Sequence, residues 1–274
     1  MVYRIRIYQL PAISLSAAIY FSKLKMTALR FILLAFWFNV KSALALKLAF
    51  WLNIAIKLVQ HLLFALAWQP FYLKYHSING WGYQHQLVMI ALVNLGAGLA
   101  ELLFDGLRDL PRIIESGTLD SYLLKPQDPI LMIALSKTSL NSWSNVLAGI
   151  VFIKMSNLFD WVIVLFALLA TLFFFSLYLY LGSLRFFINN SNSLIADIYS
   201  KTMLIATQPN TSYKGLLKII TFSILPVSLV SFFPVQYICE KNIRHLMIVV
   251  FGSVLFYIFS RAIFFIGLRR YNER

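Results

Sequence analysis

The 274-residue chain is 60% hydrophobic and only 12% charged, with a mean hydropathy of +0.77, whereas a soluble domain is about half apolar and about a quarter charged. Too few polar side chains remain to solvate a globule of this size, which excludes an ordinary soluble enzyme. The net charge of +14 would suit nucleic acid if the Lys and Arg formed a stripe, but they stand between apolar runs; no nucleic-acid partner is expected, and the excess is read as membrane topology.

Residues 1–26 form an N-terminal extension that holds Pro11 and scattered serines. Its short apolar run has no small-residue cleavage site after it, which argues against a signal peptide, and Met26 is an alternative start. A single transmembrane domain is expected from 27 to 274. Residues 27–44 are apolar but carry Arg30 and Lys41 near one helical face, as in a helix lying flat in the membrane interface; a slightly polar extension of the first span is the other reading.

A span needs about 20 apolar residues, each rising about 1.5 Å across about 30 Å of hydrocarbon. Five stretches meet this: 46–72, 87–107, 130–154, 161–187 and 247–268. The third is the most polar, interrupted by Lys137, Asn141, Ser142, Ser144 and Asn145. Lys57 lies inside the first beside Gln60 and His61. A cation in hydrocarbon costs about 2.5–3.5 kcal/mol on insertion scales unless paired or hydrated, so Lys57 either lines a pathway or snorkels to the interface. Arg261, about two turns from the end of the last span, is expected to snorkel. Gly96 and Gly98 near Ala100 would permit close helix packing.

The region before the last span supplies a sixth crossing in one of two ways. Either 216–239 spans plainly and 189–214 is a cytosolic loop, or the polar stretch 188–207 crosses inside the bundle and 213–238 is a re-entrant hairpin broken at Pro226 and Pro234. Proline removes backbone donors, and such breaks persist at membrane depth only where protein or water covers them, which favours the hairpin. Both readings give an all-α integral membrane bundle of about six helices with both termini cytoplasmic at the inner membrane. Most Lys and Arg then fall inside; on the plain reading Lys74, Lys154, Lys241 and Arg244 stand opposite.

No GxxxxGK[ST] phosphate loop occurs, so ATP dependence would belong to a partner chain. Cys239 is the lone cysteine and no Cys/His group has metal spacing; no catalytic, cofactor or metal residue is expected. Two rival functions remain. A membrane-embedded lipid-modifying enzyme would use His76 or His85 at the outer interface, and replacing both would separate it from a transporter. An ion-driven secondary transporter would want similar halves and paired intramembrane acids, and the sequence offers neither.

The most informative segment is the cytosolic loop 109–130, DLPRIIESGTLDSYLLKPQDPI. Glu101, Asp105, Asp109, Glu115, Asp120 and Asp128, more than half of the 10 acids, lie in or just before it. Gly117 would end one short helix, Thr118 start a second, and Pro126 and Pro129 stop it. The expected product is a helical elbow with an apolar face of Leu119, Tyr122 and Leu123, suited to docking a cytosolic protein.

This run, IESGTLDSYLLKPQDPI, resembles the loop of ABC-2 family exporter permeases, in the branch with a G-x-L-D-x-x-L-x-K/R-P-x-x-P pattern. Gly80-Trp81 before the second span, ILPVSLVSFFPVQYI and GLRRY at 267–271 agree in order. The resemblance implies a permease subunit that exports a substrate not specified by the sequence. It implies a separate cytosolic ATPase that binds the ATP, and a second permease chain, identical or sister, sharing the bilayer. Gly117, Leu119, Asp120, Leu124, Pro126 and Pro129 would then form the ATPase-coupling loop, and Pro226 and Pro234 the external gate.

Overall fold

The computed structural model describes residue 37 and residues 47–77, 80–125, 127–188, 192–208, 215 and 223–272. The N-terminal extension, the proposed interfacial helix apart from Trp37, and Pro126 lie outside the described residues. The described residues form helices joined by short turns, with no strand among them. In chain order they form α1 (Lys47–Tyr75), α2 (Tyr83–Phe104), a 3-10 turn (Asp105–Asp109), α3 (Leu110–Glu115), α4 (Leu119–Leu123) and α5 (Pro129–Ala134). A second 3-10 turn (Leu140–Ser142) leads into α6 (Trp143–Ser156); α7 (Val162–Ser183), α8 (Asn192–Ala206), α9 (Phe232–Glu240) and α10 (Ile243–Asn272) follow.

Among the described residues four helical stretches are long and apolar enough to cross a membrane: Phe50–Tyr75, Tyr83–Glu115, Val162–Phe186 and Ile243–Tyr271. The second is the central post, 83% buried over its most apolar window, with α6 and α7 packed against it. Lipid tails are as apolar as leucine, so helices here associate through close packing and polar contacts rather than water release. A Cβ on Gly96 would lie 2.5 Å from the Ala170 Cβ of α7, and one on Gly98 would lie 2.9 Å from both Asn145 and Val146 of α6. The two glycines let the post touch both neighbours. Helices α1 and α10 are outriggers, with Trp51, Leu63 and Leu73 on the one and Phe251, Leu255 and Ile258 on the other at least half exposed.

The third crossing is not the single span 130–154. It breaks after α5 and resumes as α6, only 14 residues long, and the break holds Lys137, Asn141 and Ser142. Polar side chains and backbone groups freed there find partners in α2: the Ser139 amide donates to the Glu101 carbonyl at 3.1 Å.

Within the polar stretch 188–207, Asn192–Ala206 is helical and packs along the post. Helix α8 runs antiparallel to α2: Asn192 meets Glu115, the Tyr199 hydroxyl donates to Glu101 at 2.8 Å, and the Gln86 amide donates to the Thr207 carbonyl at 2.8 Å. Ile195, Thr202 and Ala206 are buried while Ser193, Asp197 and Lys201 are exposed. The described residues resume at 223, ahead of the turn Val227–Leu229. Leu229 rests against Gly252, about a third of the way along α10, and α9 then returns to Lys241, which pairs with Asp160 in the α6–α7 loop. These residues are the returning half of the expected hairpin; its entering half falls in 209–214 and 216–222, outside the described residues.

Candidate functional site

Two ends of the bundle carry distinct chemistry, and a polar centre joins them. At the first end, the post bends through the turn Asp105–Asp109 into the elbow. Gly117 has φ +70, a left-handed geometry that a Cβ disfavours, and it separates α3 from α4 as the sequence suggests. The Thr118 hydroxyl returns to the Ile113 carbonyl at 3.3 Å, tightening that corner. Pro129 opens α5 rather than ending α4. Asp128 caps that helix, accepting from the Ile130 and Leu131 amides at 2.9 and 3.4 Å.

The elbow's leucines divide by role. Leu119 is fully buried and joins Leu107, Leu110 and Ile133 in the main core, so it braces the elbow and presents no face to a partner. Leu123, where the family pattern places its leucine, is half-buried against the same core. Leu124 is 88% exposed. Asp120 faces the Tyr271 hydroxyl. Arg261 does not snorkel freely: its guanidinium holds Asp128 at 2.7 Å and the Tyr257 hydroxyl at 3.2 Å, tying the elbow to α10. Arg185, in the turn that follows α7, and Asn192 of α8 hold Glu115, tying it to the end of the one and the start of the other.

Glu101 is the centre, and its sequence gives little hint of this. It is 7% exposed. Oε2 accepts from Ser142 at 2.6 Å and Asn145 at 3.3 Å, while Oε1 accepts from Tyr199 at 2.8 Å and Tyr178 at 3.4 Å. Arg108 Nη1 stands 3.3 Å from Oε1 and 3.2 Å from Asp105, which also meets Lys137 at 3.3 Å. Lys137 reaches Asp109 at 2.7 Å, closing a chain of alternating charges. These donors stand in for the hydration that the carboxylate gives up on burial.

A cavity lies on each side of this centre. The larger, about 910 Å³, is walled by Asp105, Arg108, Lys137, Tyr178 and Tyr199 among others and sits toward the elbow. The smaller, about 370 Å³, is lined by His61, Asn94, Glu101, Asn145, Tyr199 and Thr207. Tyr199 and Ser200 border both. Together they make a polar groove between α1 and α8, floored by α7 and the turn Asp105–Asp109 at the larger cavity and by α2 and Asn145 of α6 at the smaller. His61 contributes through its hydrogen bond to Asn145 at 2.9 Å. Lys57, one turn before His61 and half-buried, lines neither cavity.

At the other end Trp81 stacks on Phe232, with ring centroids 5.5 Å apart, and fixes the start of α9 to the start of α2. Pro226 precedes the turn Val227–Leu229, and Pro234 occupies the first turn of α9, where a missing donor costs nothing. Asp160 accepts from Lys241 and from the Val162 amide at 3.1 Å, and these bonds hold its carboxyl below the usual carboxylate range. His85 Nδ1 accepts from the Gly82 amide at 3.2 Å, capping α2, and His76 is exposed at the end of α1. Among the described residues no group of His, Cys, Asp and Glu has the arrangement to hold a metal.

The comparisons agree with this architecture. A family model described as ABC-2 family transporter protein matches residues 56–274. No curated protein and no solved structure matches the chain.

Proposed function

We infer that this chain, which belongs to the ABC-2 transporter family and is a multi-pass membrane permease of an ABC transporter, is an exporter subunit driven by a separate cytosolic ATPase through its elbow. The single observation that carries this reading is the elbow's construction. It is a compact set of helices braced by Leu119, clasped to α7, α8 and α10, and tipped by a leucine that is 88% exposed. A solvated connector needs none of these ties, whereas a lever needs all of them. The elbow end is then cytoplasmic at the inner membrane, with both termini on that side, and the Pro226–Pro234 hairpin faces outward as the external gate.

The polar groove is the route in this reading. Exposed Ser193, Asp197 and Lys201 on α8, at the depth of apolar spans, would cost several kcal/mol facing lipid. A second permease chain, identical or sister, covers that face and turns the groove into a pore. Lys57 stands beside it rather than in it.

The test is Leu124→Asp in the chain co-expressed with its ATPase. The side chain has no core contact to lose, so membrane insertion and thermal stability stay unchanged. ATPase recovered on the affinity-tagged permease should fall about tenfold, since a buried charge at an interface hot spot costs about 1–3 kcal/mol. Full recovery of the ATPase would overturn the coupling role.

A further inference from the structure

We propose that the Glu101 centre is a recognition site for a cationic group of the transported molecule, an amine or guanidinium, and that Arg108 occupies it as the chain's own competitor. The proposal rests on the permease reading for what the ligand is, and on the geometry for what it must carry.

The surroundings of the Arg108 guanidinium are those that select a cation. Glu101 lies 3.3 Å away, buried, and the guanidinium carbon sits 5.1 Å from the centre of the Tyr199 ring. An aromatic face beside a carboxylate attracts ammonium and guanidinium ions through the ring quadrupole and Coulomb energy together. The Tyr178 and Tyr199 hydroxyls, 2.8 Å apart, orient both rings on the carboxylate. The site opens to the larger cavity through the 40% exposed Arg108 side chain and to the smaller one through Glu101 itself.

Arg108 is placed to leave. It sits on the turn Asp105–Asp109 that joins the post to the elbow, and one nitrogen, Nη1, serves both Glu101 and Asp105. A small swing with the elbow keeps the Asp105 contact and gives up Glu101. Among the described residues Arg108 is the only cation in an ion pair with Glu101. Its departure leaves a buried carboxylate uncompensated, which is strongly unfavourable, and a cation arriving through either cavity removes that penalty. Movement of the elbow thereby becomes easier when cargo is present and harder when it is absent.

The probe is benzamidine, compared with benzamide of the same shape and no charge, titrated calorimetrically into the full-length chain in lipid nanodiscs. Benzamidine should bind in preference to benzamide, and Glu101→Gln should abolish that preference. Arg108→Gln removes the competitor and should tighten benzamidine about tenfold, because apparent affinity scales with the fraction of sites left open. Asp105→Asn deprives Arg108 of its second carboxylate, leaves it on Glu101, and should weaken benzamidine severalfold. These opposite signs do not follow from a structural role, under which all three variants would only weaken binding. No gain in Arg108→Gln, no loss in Asp105→Asn, or discrimination kept in Glu101→Gln overturns the proposal. The assay contains no ATPase, so cation binding and ATPase docking fail or succeed separately.

Discussion

Asp128 does two jobs with its two oxygens. Oδ1 caps α5 and Oδ2 holds Arg261. Asn retains capping ability and loses the charge, whereas Ala loses both. The Arg261 side chain is 41% exposed and Asp128 30%, so the pair's stability contribution is small, about 0–1 kcal/mol. Asp128→Asn should therefore leave thermal unfolding in detergent nearly unchanged, and Asp128→Ala should cost about 1 kcal/mol more than Asn does. Equal losses in the two variants would mean that the cap carries no stability. At the other end, the Asp160 carboxyl is held below its ordinary value chiefly by the Lys241 hydrogen bond. A depressed folded value means that the clasp's contribution is complete above the unfolded value of about 3.9. It is lost as pH falls through the lower folded value. Spin labels at Phe159 and Asn242, in a Cys239→Ser background, should hold one distance from pH 7 to about pH 4 and separate only in stronger acid. Asp160→Asn should remove that acid transition.

Among the elements, α2 is the one whose packing leaves least room. Its glycines meet α6 and α7 at distances no Cβ tolerates, so Gly98→Leu should destabilise the bundle by about 1–3 kcal/mol, as overpacking does elsewhere. Retained melting temperature in detergent would show that the neighbours can move aside. This is also the scale at which the sequence is most readable. The four long stretches stand out because a helix within hydrocarbon, facing lipid or packed inside the bundle, is an unbroken apolar run, and the break after α5 is marked by Lys137 and Asn141. Helix α8 is harder to see. Its Asn192, Asp197 and Lys201 resemble a loop when read alone, and only the Glu115, Glu101 and Gln86 contacts show where its polar atoms go. The corner at Gly117 is legible from residue type, since few residues accept φ +70. The Glu101 centre is not, because its partners Ser142, Tyr178 and Tyr199 come from three different helical segments with no fixed spacing. The only signal was an unusual gathering of acids from Glu101 onward.

For the whole molecule, the decisive question is which surfaces water reaches. Single cysteines in the Cys239→Ser background at Gln127, Ser200 and Asn242 sample the elbow, the groove and the hairpin in turn. In sealed cells an impermeant maleimide should label Asn242→Cys and spare Gln127→Cys, and inverted vesicles should reverse the pattern. Ser200→Cys, which borders both cavities, should react from one side at a time and switch sides with nucleotide state. Labelling of Gln127→Cys in intact cells would invert the assigned orientation.

The short α6 has a physical result of its own. Its outward residues Leu147, Ile150, Val151 and Met155 form the apolar band of a helix about 21 Å long, against about 30 Å of hydrocarbon in an ordinary bilayer. Headgroups that dip toward Lys137 and Asn141 would match its length, thinning the leaflet beside the elbow. Such hydrophobic mismatch costs fractions of a kcal/mol per Å, enough for acyl-chain length to bias the conformational equilibrium. Turnover in proteoliposomes should therefore fall as the lipids lengthen from fourteen-carbon to twenty-carbon chains, making the thickness of the membrane itself an effector of this permease.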